Sequence, residues 1–282
     1  MKLNNSFAEI YIPDNLEVEK AIARTTHMSI AAHPDDIEIM AYDGIVKCFN
    51  QEDKWFFGVI VTDGAGSART GVYEKYTDEE MINIRKIEQK KAAYLGDFGG
   101  VAMLGYPSKT AKSKDDQTII EDLKKLIIAA KPEVIYTHNL ADKHDTHIGV
   151  VTKTIKAIRQ LDKDLRPKKL FGCEVWRNLD WLMADDKIMF DSSKHPNLAS
   201  ALVEVFDSQI VGGKRYDLAA IGRRRANATY TDSHSVDEVE SVIYGLDLTK
   251  LIEDDSINMV DYILEYIDRF RKDVVDKIEK ML

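Results

Sequence analysis

The first residues that could do chemistry stand together, directly after a predicted strand. Met28 to Ala32 is a short apolar run typical of a buried parallel strand, and His33-Pro34-Asp35-Asp36 follows it. Imidazole nitrogens and carboxylate oxygens are good zinc ligands, and the i, i+3 spacing of His33 and Asp36 places them on one face of a helical turn. Asp35 points elsewhere, so one acid could bind a metal while the other stays free.

A second group of candidate ligands follows a later predicted strand, Val134 to Tyr136. The loop from Thr137 to His147 is rich in histidine, and His144 and His147 repeat the i, i+3 spacing. A catalytic zinc typically has about three protein ligands plus water. His33 and Asp36 with one histidine of this loop would complete such a set.

These parts together describe hydrolysis of an amide or ester. The free acid can take a proton from the attacking water, and the remaining histidine can stabilise the oxyanion and protonate the leaving amine. In the alternative interpretation, Asp35 and Asp36 only cap the following helix, as Asp often does, and the protein is a non-enzymatic ligand-binding protein. Stoichiometric metal in the purified protein separates the two.

The elements around these loops alternate between strand and helix. Apolar runs predict strands at 28–32, 55–61, 101–104, 134–136 and 170–175, and helical spacing predicts helices at 37–49, 78–95, 118–130 and 148–161. This order predicts an α/β fold, a Rossmann-like three-layer α/β/α sandwich with a mostly parallel sheet. In such sheets ligands bind outside the carboxyl ends of the strands, where both histidine-containing loops begin.

The chain beyond about Trp176 is predicted to form loops plus helices, at 198–210, 216–228 and 257–281. We therefore expect a single domain over 1–282, with a core at about 25–175 and a helical C-terminal extension at about 176–282. An apolar stripe on the last helix, from Val260 to Ile278, favours packing on its own domain over an oligomer contact.

Composition excludes several classes of protein. The 282 residues include 39 Lys and Arg against 48 Asp and Glu, so the formal net charge is 39 − 48 = −9. This acidic balance argues against nucleic acid or an anionic membrane as partner. The two cysteines, Cys48 and Cys173, cannot form a disulfide framework and fit a reducing compartment. We expect a cytoplasmic protein, since no apolar segment is long enough for a signal peptide or a membrane span.

The motifs resemble those of the LmbE/PIG-L zinc-dependent de-N-acetylases, which remove acetyl groups from N-acetylglucosamine conjugates. The resemblance runs from about Ser29 to Ala157. It rests on these residues in order: His33-Pro34-Asp35-Asp36 with Glu38, Thr62-Asp63-Gly64, Arg85 with Glu88, Leu104-Gly105-Tyr106-Pro107, and Asp142-x-His144-x-x-His147.

The resemblance implies a role for each matching residue. His33, Asp36 and His147 would be the Zn²⁺ ligands, Asp35 the general base, and His144 the acid that stabilises the oxyanion. It also implies an N-acetylated sugar as the small-molecule substrate and a homo-oligomer of identical subunits. Arg69, in the loop after the second strand, is placed like a family arginine that contacts substrate.

The chain departs from the family at two motifs. The second motif usually reads His-Pro-Asp-His, but here it is His144-Asp145-Thr146-His147, so either Asp142 or Asp145 is the candidate to orient the ligand histidine. The segment Phe206-Asp207-Ser208-Gln209 has the end of the family's His-x-Ser-Gln motif without its histidine. An amidase acting on a non-sugar or larger N-acyl compound is the alternative activity.

Two further segments have open interpretations. Trp176 and Arg177 follow the last predicted strand, where an indole can stack on a sugar and a guanidinium can bind hydroxyls or phosphate; the alternative is that the tryptophan belongs to the core. Gly222-Arg223-Arg224-Arg225 is the only dense basic run. We interpret it as a solvated helix face or an inter-subunit salt-bridge strip.

Overall fold

Eight strands form one mixed sheet in the computed structural model, which describes all 282 residues. They are β1 (Glu9–Tyr11), β2 (His27–Ala31), β3 (Phe56–Thr62), β4 (Gly100–Tyr106), β5 (Val134–His138), β6 (Lys169–Cys173), β7 (Ile188–Asp191) and β8 (Val242–Asp247). Their order across the sheet is β1-β4-β3-β2-β5-β6-β8-β7. The five central strands, from β4 to β6, are parallel.

Twelve α-helices accompany the sheet. They are α1 (Val18–Ala23), α2 (Asp36–Met40), α3 (Tyr42–Cys48), α4 (Asp78–Leu95), α5 (Ser108–Lys112), α6 (Thr118–Ala130), α7 (Asp145–Arg159), α8 (Pro196–Glu204), α9 (Asp207–Ile210), α10 (Tyr216–Tyr230), α11 (Lys250–Glu253) and α12 (Met259–Met281). Short 3₁₀ turns lie at Gly71–Tyr73, Lys163–Leu165 and Ala184–Asp186.

Two hydrophobic cores lie on opposite sides of the sheet. The larger joins apolar residues of α1, α6, α7 and α11 to the strands, and the smaller joins those of α2, α3, α4 and α8. Because the strands of a parallel sheet are covered on both faces, β3 is buried along its whole length. The predicted three-layer α/β/α sandwich with a mostly parallel sheet is confirmed.

Strand order places the two histidine-containing loops side by side. From β2 the chain crosses to β3 on one side, whereas β5 pairs with β2 on the other side. This reversal is the topological switch point, where the crossovers diverge and leave a crevice at the carboxyl ends of the strands. His33 follows β2 and His144 follows β5, so both lie at this crevice.

Two of the predicted helices of the core have the bounds that the sequence indicates. α4 begins after Thr77, whose side chain accepts a hydrogen bond from the backbone N–H of Glu80 while the Glu80 carboxylate accepts one from Thr77, a capping box. α6 ends at Ala130, directly before Lys131 and Pro132. The predicted helix 37–49 is divided into α2 and α3 at Ala41.

The C-terminal extension differs from the expected loops and helices, because it adds two strands to the sheet. β8 pairs antiparallel with β6, and β7 pairs antiparallel with β8. β7 is only four residues long, too short for alternation to distinguish it from a loop. The extension therefore completes one edge of the sheet.

The apolar stripe of α12 packs on the domain only near the start of the helix. Tyr262 and Ile263 are buried, and Met259 and Tyr266 are half-buried against the core. The other large apolar residues are exposed: Val260, Leu264, Ile267, Phe270, Val274, Val275, Ile278 and Met281. The interpretation of this stripe as packing on its own domain is therefore wrong for most of the helix. None of the helices combines the length and apolar composition needed to cross a bilayer.

Candidate metal centre and active site

Three of the predicted ligand atoms converge at the crevice between β2 and β5. His33 Nδ1 lies 3.1 Å from Asp36 Oδ2 and 3.2 Å from His147 Nε2, and His147 Nε2 lies 3.3 Å from Asp36 Oδ2. Zinc bonds of 2.0 to 2.1 Å at tetrahedral angles require ligand atoms about 3.3 Å apart. The triangle therefore has the donor types and the edge lengths that fit one divalent metal ion.

His138 lies close to this triangle but has no free lone pair for it. Its ring stacks on that of His147, with centroids 3.8 Å apart, and Asp36, His138 and His147 have donor atoms within 4.8 Å of one another. However, His138 Nε2 accepts a hydrogen bond of 2.9 Å from the backbone N–H of Ala32. Burial holds the pKa of His138 well below its usual range, so its ring is neutral and packs behind the ligands.

Asp142 orients the ligand histidine. Its Oδ2 lies 3.0 Å from His147 Nδ1, and both side chains are fully buried. Because a carboxylate only accepts hydrogen bonds, Nδ1 donates and the lone pair of a neutral ring lies on Nε2, which faces His33 and Asp36. Asp145, the other candidate, is exposed at the first position of α7. Asp142 thus replaces the acid missing from the second motif.

Backbone geometry separates the two adjacent acids. Asp35 has φ +92°, in the left-handed region that non-glycine residues rarely adopt, and its side chain makes no capping hydrogen bond. Asp36 Oδ2 instead accepts from the backbone N–H of His33 at 2.8 Å. Neither carboxylate caps the helix in the usual way, which disfavours the alternative in which these acids are only caps.

A buried arginine holds the free acid in place. Arg85 Nη2 donates to Asp35 Oδ2 at 3.1 Å and also to the carbonyl oxygen of Pro34. Both side chains are buried, at 2% and 7% exposure. The charged pair fixes the Asp35 carboxylate beside the ligands without directing it at them.

Burial and charge give the two acids different proton affinities. Burial raises the pKa of Asp35 to about 6, although the Arg85 charge works against the rise. Burial acts in the same direction on Asp36, but the neighbouring His147 and His33 hold the pKa of Asp36 well below its usual range. Asp35 thus suits proton transfer near neutral pH, whereas Asp36 stays an anion that a metal ion could bind.

The remaining histidine has a defined tautomer. His144 is the N-cap of α7, and its Nδ1 accepts a hydrogen bond of 3.3 Å from the backbone N–H of Thr146. Burial lowers the pKa of His144, and the neighbouring His147 and His33 act in the same direction. A neutral ring accepting at Nδ1 carries its proton on Nε2, which is free to donate to a substrate oxygen.

The turn after β3 supports this arrangement. Thr62 Oγ1 donates to the carbonyl oxygen of Ala32 at 2.8 Å, which ties the end of β3 to the end of β2. Gly64 has φ +76°, and a Cβ there would lie 3.4 Å from the Arg85 side chain and 3.5 Å from Pro34. These are ordinary van der Waals distances, so glycine is favoured at this position by its backbone conformation.

Two further motif residues, Glu38 and Glu88, do not line the cavity and instead bind neighbouring side chains or backbone. Gln89 donates from Nε2 to Glu38 Oε1 at 2.8 Å, and burial raises the pKa of Glu38 to about 8. Glu88 accepts hydrogen bonds of 2.7 Å from both the backbone N–H and the hydroxyl of Ser208. The Ser-Gln remnant of the C-terminal motif therefore anchors α9 to α4, and Phe206 occupies the position of the family histidine.

A cavity of about 630 Å³ opens onto the candidate centre. His33, Asp35, Asp36 and His144 line it together with Trp176 and residues of the α10 segment. The structure thus brings the predicted base, the predicted acid and two of the predicted ligands, His33 and Asp36, to one cavity, whereas the His147 side chain is fully buried. The contribution of α10 to the cavity was not predicted from the sequence, because its arginines were interpreted as a surface strip.

Two of the predicted substrate contacts lie away from this cavity. Arg69 donates to the carbonyl oxygens of Tyr76 and Ala65 and to Asp78, so its guanidinium is used within its own loop. Arg177 is exposed, and only its backbone N–H, bonded to Asp142, contributes near the centre. Trp176 remains as the predicted contact residue that lines the cavity.

Residues 28–158 match the family model described as PIG-L: GlcNAc-PI de-N-acetylase. The predicted resemblance to the LmbE/PIG-L family is confirmed. The matched segment contains all three candidate ligands together with Asp35 and His144. No curated protein matches the chain.

Solved structures with the same fold include proteins of different activity. N,N'-diacetylchitobiose deacetylase from Pyrococcus horikoshii is 18% identical, with a TM-score of 0.62 over 82% of this chain and 86% of that one. The conserved protein TT1542 from Thermus thermophilus is 19% identical, with a TM-score of 0.58 over 79% of this chain and 94% of that one.

The 4-carboxy-2-hydroxymuconate hydratase GalB from Pseudomonas putida KT2440 is 14% identical, with a TM-score of 0.57 over 79% of this chain and 96% of that one. At these identities the likeness shows a shared fold. Because a hydratase shares it with deacetylases, the reaction must be argued from the residues of the site.

Proposed function

We propose that the protein is a metal-dependent hydrolase that removes the acetyl group from an N-acetylated amino sugar or its conjugate. The observation that carries the proposal is the triangle of His33, Asp36 and His147 with the Asp35 carboxylate held beside it by Arg85. The match to a family described by a de-N-acetylase activity supports this choice over other hydrolytic reactions.

Each side chain has a distinct part in the proposed reaction. His33 Nδ1, Asp36 Oδ2 and His147 Nε2 would hold the metal, for which zinc is the best match to two imidazoles and one carboxylate. A bound zinc would polarise the acetyl carbonyl and lower the pKa of the attacking water.

The chain's own residues move the protons. Asp35 takes a proton from the attacking water as the new C–O bond forms, and the Nε2–H of His144 donates to the oxygen that becomes negative. The C–N bond then breaks, and the proton that Asp35 took from the water passes to the departing amine. The products are acetate and the free amino sugar.

The shape of the cavity supports a sugar as substrate. The exposed part of the Trp176 ring lines it next to His144, with ring centroids 6.3 Å apart. An indole face packs well against the C–H surface of a pyranose. A sugar ring stacked there would place its acetamide near the predicted acid.

The experiment is acetate release from N-acetylglucosamine conjugates by the zinc-loaded protein, compared with the Asp35→Asn variant. We expect the variant to keep its zinc and to lose at least about 100-fold in kcat, because it lacks the base. His33→Ala and Asp36→Ala should lose both metal and activity. Full activity of Asp35→Asn would refute the assignment, and release of only larger acyl groups would favour the alternative amidase.

A further inference from the structure

The wall of the cavity beyond the candidate metal centre is positively charged, and most of its cations belong to the α10 segment. The cationic side chains that line the cavity are Arg85, Lys112, Lys214, Arg223 and Arg224, and the lining acids are Asp35, Asp36 and Glu174. Arg85 is paired with Asp35, and Asp36 belongs to the candidate metal centre. The part of the cavity beyond the centre is therefore cationic in a chain whose net charge is −9.

The positive charges of this wall have no carboxylate partner within ion-pair distance. Lys112 and Lys214 make no salt bridge or side-chain hydrogen bond, and Arg223 donates only to the carbonyl oxygen of Val175. The ammonium of Lys214 lies 5.2 Å from the centre of the Trp176 ring, and that of Lys143 lies 5.8 Å from it. Cations thus surround the ring proposed to carry the sugar.

Arg224 contributes a positive charge whose position in this wall is fixed by burial and hydrogen bonds. It is 2% exposed, and its Nη2 donates to the carbonyl oxygens of Glu38 and Ile39. Its Nε and Nη1 are buried without a hydrogen-bond partner. Burying a guanidinium without a counter-ion costs free energy unless a ligand supplies the opposite charge.

Glu174 offsets the charge of this wall only in part, because it interacts with Arg223 and Arg224 without an ion pair to either. Its carboxylate already accepts from the backbone N–H of Tyr244 at 3.0 Å and from Asn227 Nδ2 at 2.5 Å, and burial raises its pKa. Its exposure is only 3%, so it is part of the packed floor beneath the cavity. One such acid remains against four cations.

We propose that the substrate carries an oxyanion, a carboxylate or a phosphate, which binds Lys214 and Arg223 in the field of Arg224. This inference rests on the proposed function, because it places the anion on the same molecule as the acetamide. It also reassigns the basic run 222–225: Arg223 and Arg224 line the cavity, whereas Arg225 is exposed. The interpretation of the whole run as a solvated or inter-subunit strip is wrong for these two residues.

The test measures binding to the zinc-loaded protein by calorimetry, with glucosamine as the neutral ligand. Glucosamine 1-phosphate, glucosamine 6-phosphate and muramic acid are the anionic ligands, and they distinguish phosphate from carboxylate. None of them carries an acetyl group, so binding does not depend on hydrolysis. We expect at least one to bind at least about tenfold more tightly than glucosamine, as a charge-assisted hydrogen bond would give.

Variants locate the source of this preference. Lys214→Gln and Arg223→Gln should each reduce it, by about tenfold for the better-placed side chain, whereas the exposed Arg225→Gln should keep it. Equal binding of neutral and anionic ligands by the wild-type protein would overturn the proposal. So would a loss in Arg225→Gln as large as that in Lys214→Gln. An intact anion preference without any acetate release would count against the proposed function only.

Discussion

The Asp142 carboxylate accepts a hydrogen bond from His147 Nδ1 at 3.0 Å, with both groups excluded from solvent. The same carboxylate accepts from the backbone N–H groups of Trp176 and Arg177, at 3.4 and 3.0 Å. One side chain therefore fixes the direction of a candidate metal ligand and the start of the loop that carries the proposed sugar platform. Metal binding and substrate positioning share a common support.

This shared support predicts the effect of Asp142→Asn. An amide is a weaker acceptor than a carboxylate, and it no longer enforces the tautomer with a lone pair on His147 Nε2. We expect the Kd for zinc to rise by about 10- to 100-fold, measured by competition with a chelating dye. Asp145→Asn is the matched control in the same loop and should bind zinc like the wild type. An unchanged Kd in Asp142→Asn would show that His147 needs no such partner.

Arg85 is predicted to act as a positioning residue for Asp35. In Arg85→Lys the side chain is one bond shorter, so its ammonium falls short of the position from which Arg85 Nη2 donates to both the Asp35 carboxylate and the Pro34 carbonyl oxygen. We expect kcat to fall by about 10- to 100-fold, with little change in KM or in zinc content, because part of the contribution of the base is lost. Arg225→Lys, at an exposed site, should behave like the wild type. A rise in KM at unchanged kcat would assign Arg85 to substrate binding instead.

Because Glu174 is buried, we expect it to make the stability of the protein depend on pH. Burial raises its pKa in the folded protein, whereas its pKa in the unfolded chain is about 4.3. Its stabilising contribution is therefore complete below that value and is lost as the pH rises through the folded pKa. We expect the free energy of unfolding to fall less with pH in Glu174→Gln than in the wild type.

Urea unfolding between pH 4 and pH 8 measures this slope. The absolute stability of Glu174→Gln will also change, because the amide replaces an acceptor of several N–H groups. The slope is unaffected by that offset. Glu204→Gln, an exposed acid on α8, should keep the wild-type slope. Identical slopes in all three proteins would refute the assignment to Glu174.

The end of α12 is predicted to contribute little to the stability of the monomer. Residues 272–282 include no buried side chain, so their deletion should change the free energy of unfolding by less than about 0.5 kcal/mol. Tyr262→Ala, near the start of the helix, should cost about 3 kcal/mol, because the ring is buried and its hydroxyl donates to the Asp247 carbonyl oxygen. A large loss on deletion would mean that the exposed stripe is covered in solution.

Local signals are sufficient for the central part of the fold. α4 and α6 have the predicted bounds, because a capping box marks the start of α4, Gly96 follows its end, and a proline lies just beyond the end of α6. The strands β2 and β5 are apolar runs directly before the histidine-containing loops, so the location of the site follows from sheet geometry. The His and Asp motifs then indicate metal-assisted hydrolysis of an amide or ester as the chemistry at that location.

Other features depend on long-range contacts that spacing does not reveal. β8 is placed by pairing with β6 and β7, which lie far from it along the chain or are too short to recognise. Arg224 belongs to a basic run of the kind typical of a solvent-exposed helix face, but its side chain on α10 lines the cavity. Arg69 follows the expected strand, but its hydrogen bonds keep it within its own loop.

The central claim is that His33, Asp36 and His147 bind a single divalent metal ion. Anomalous diffraction at the zinc edge, from crystals of the zinc-loaded protein, tests it most directly. We expect one peak about 2.0 to 2.2 Å from His33 Nδ1, Asp36 Oδ2 and His147 Nε2. A peak bonded to other side chains, or no peak within bonding distance of these three atoms, would contradict it.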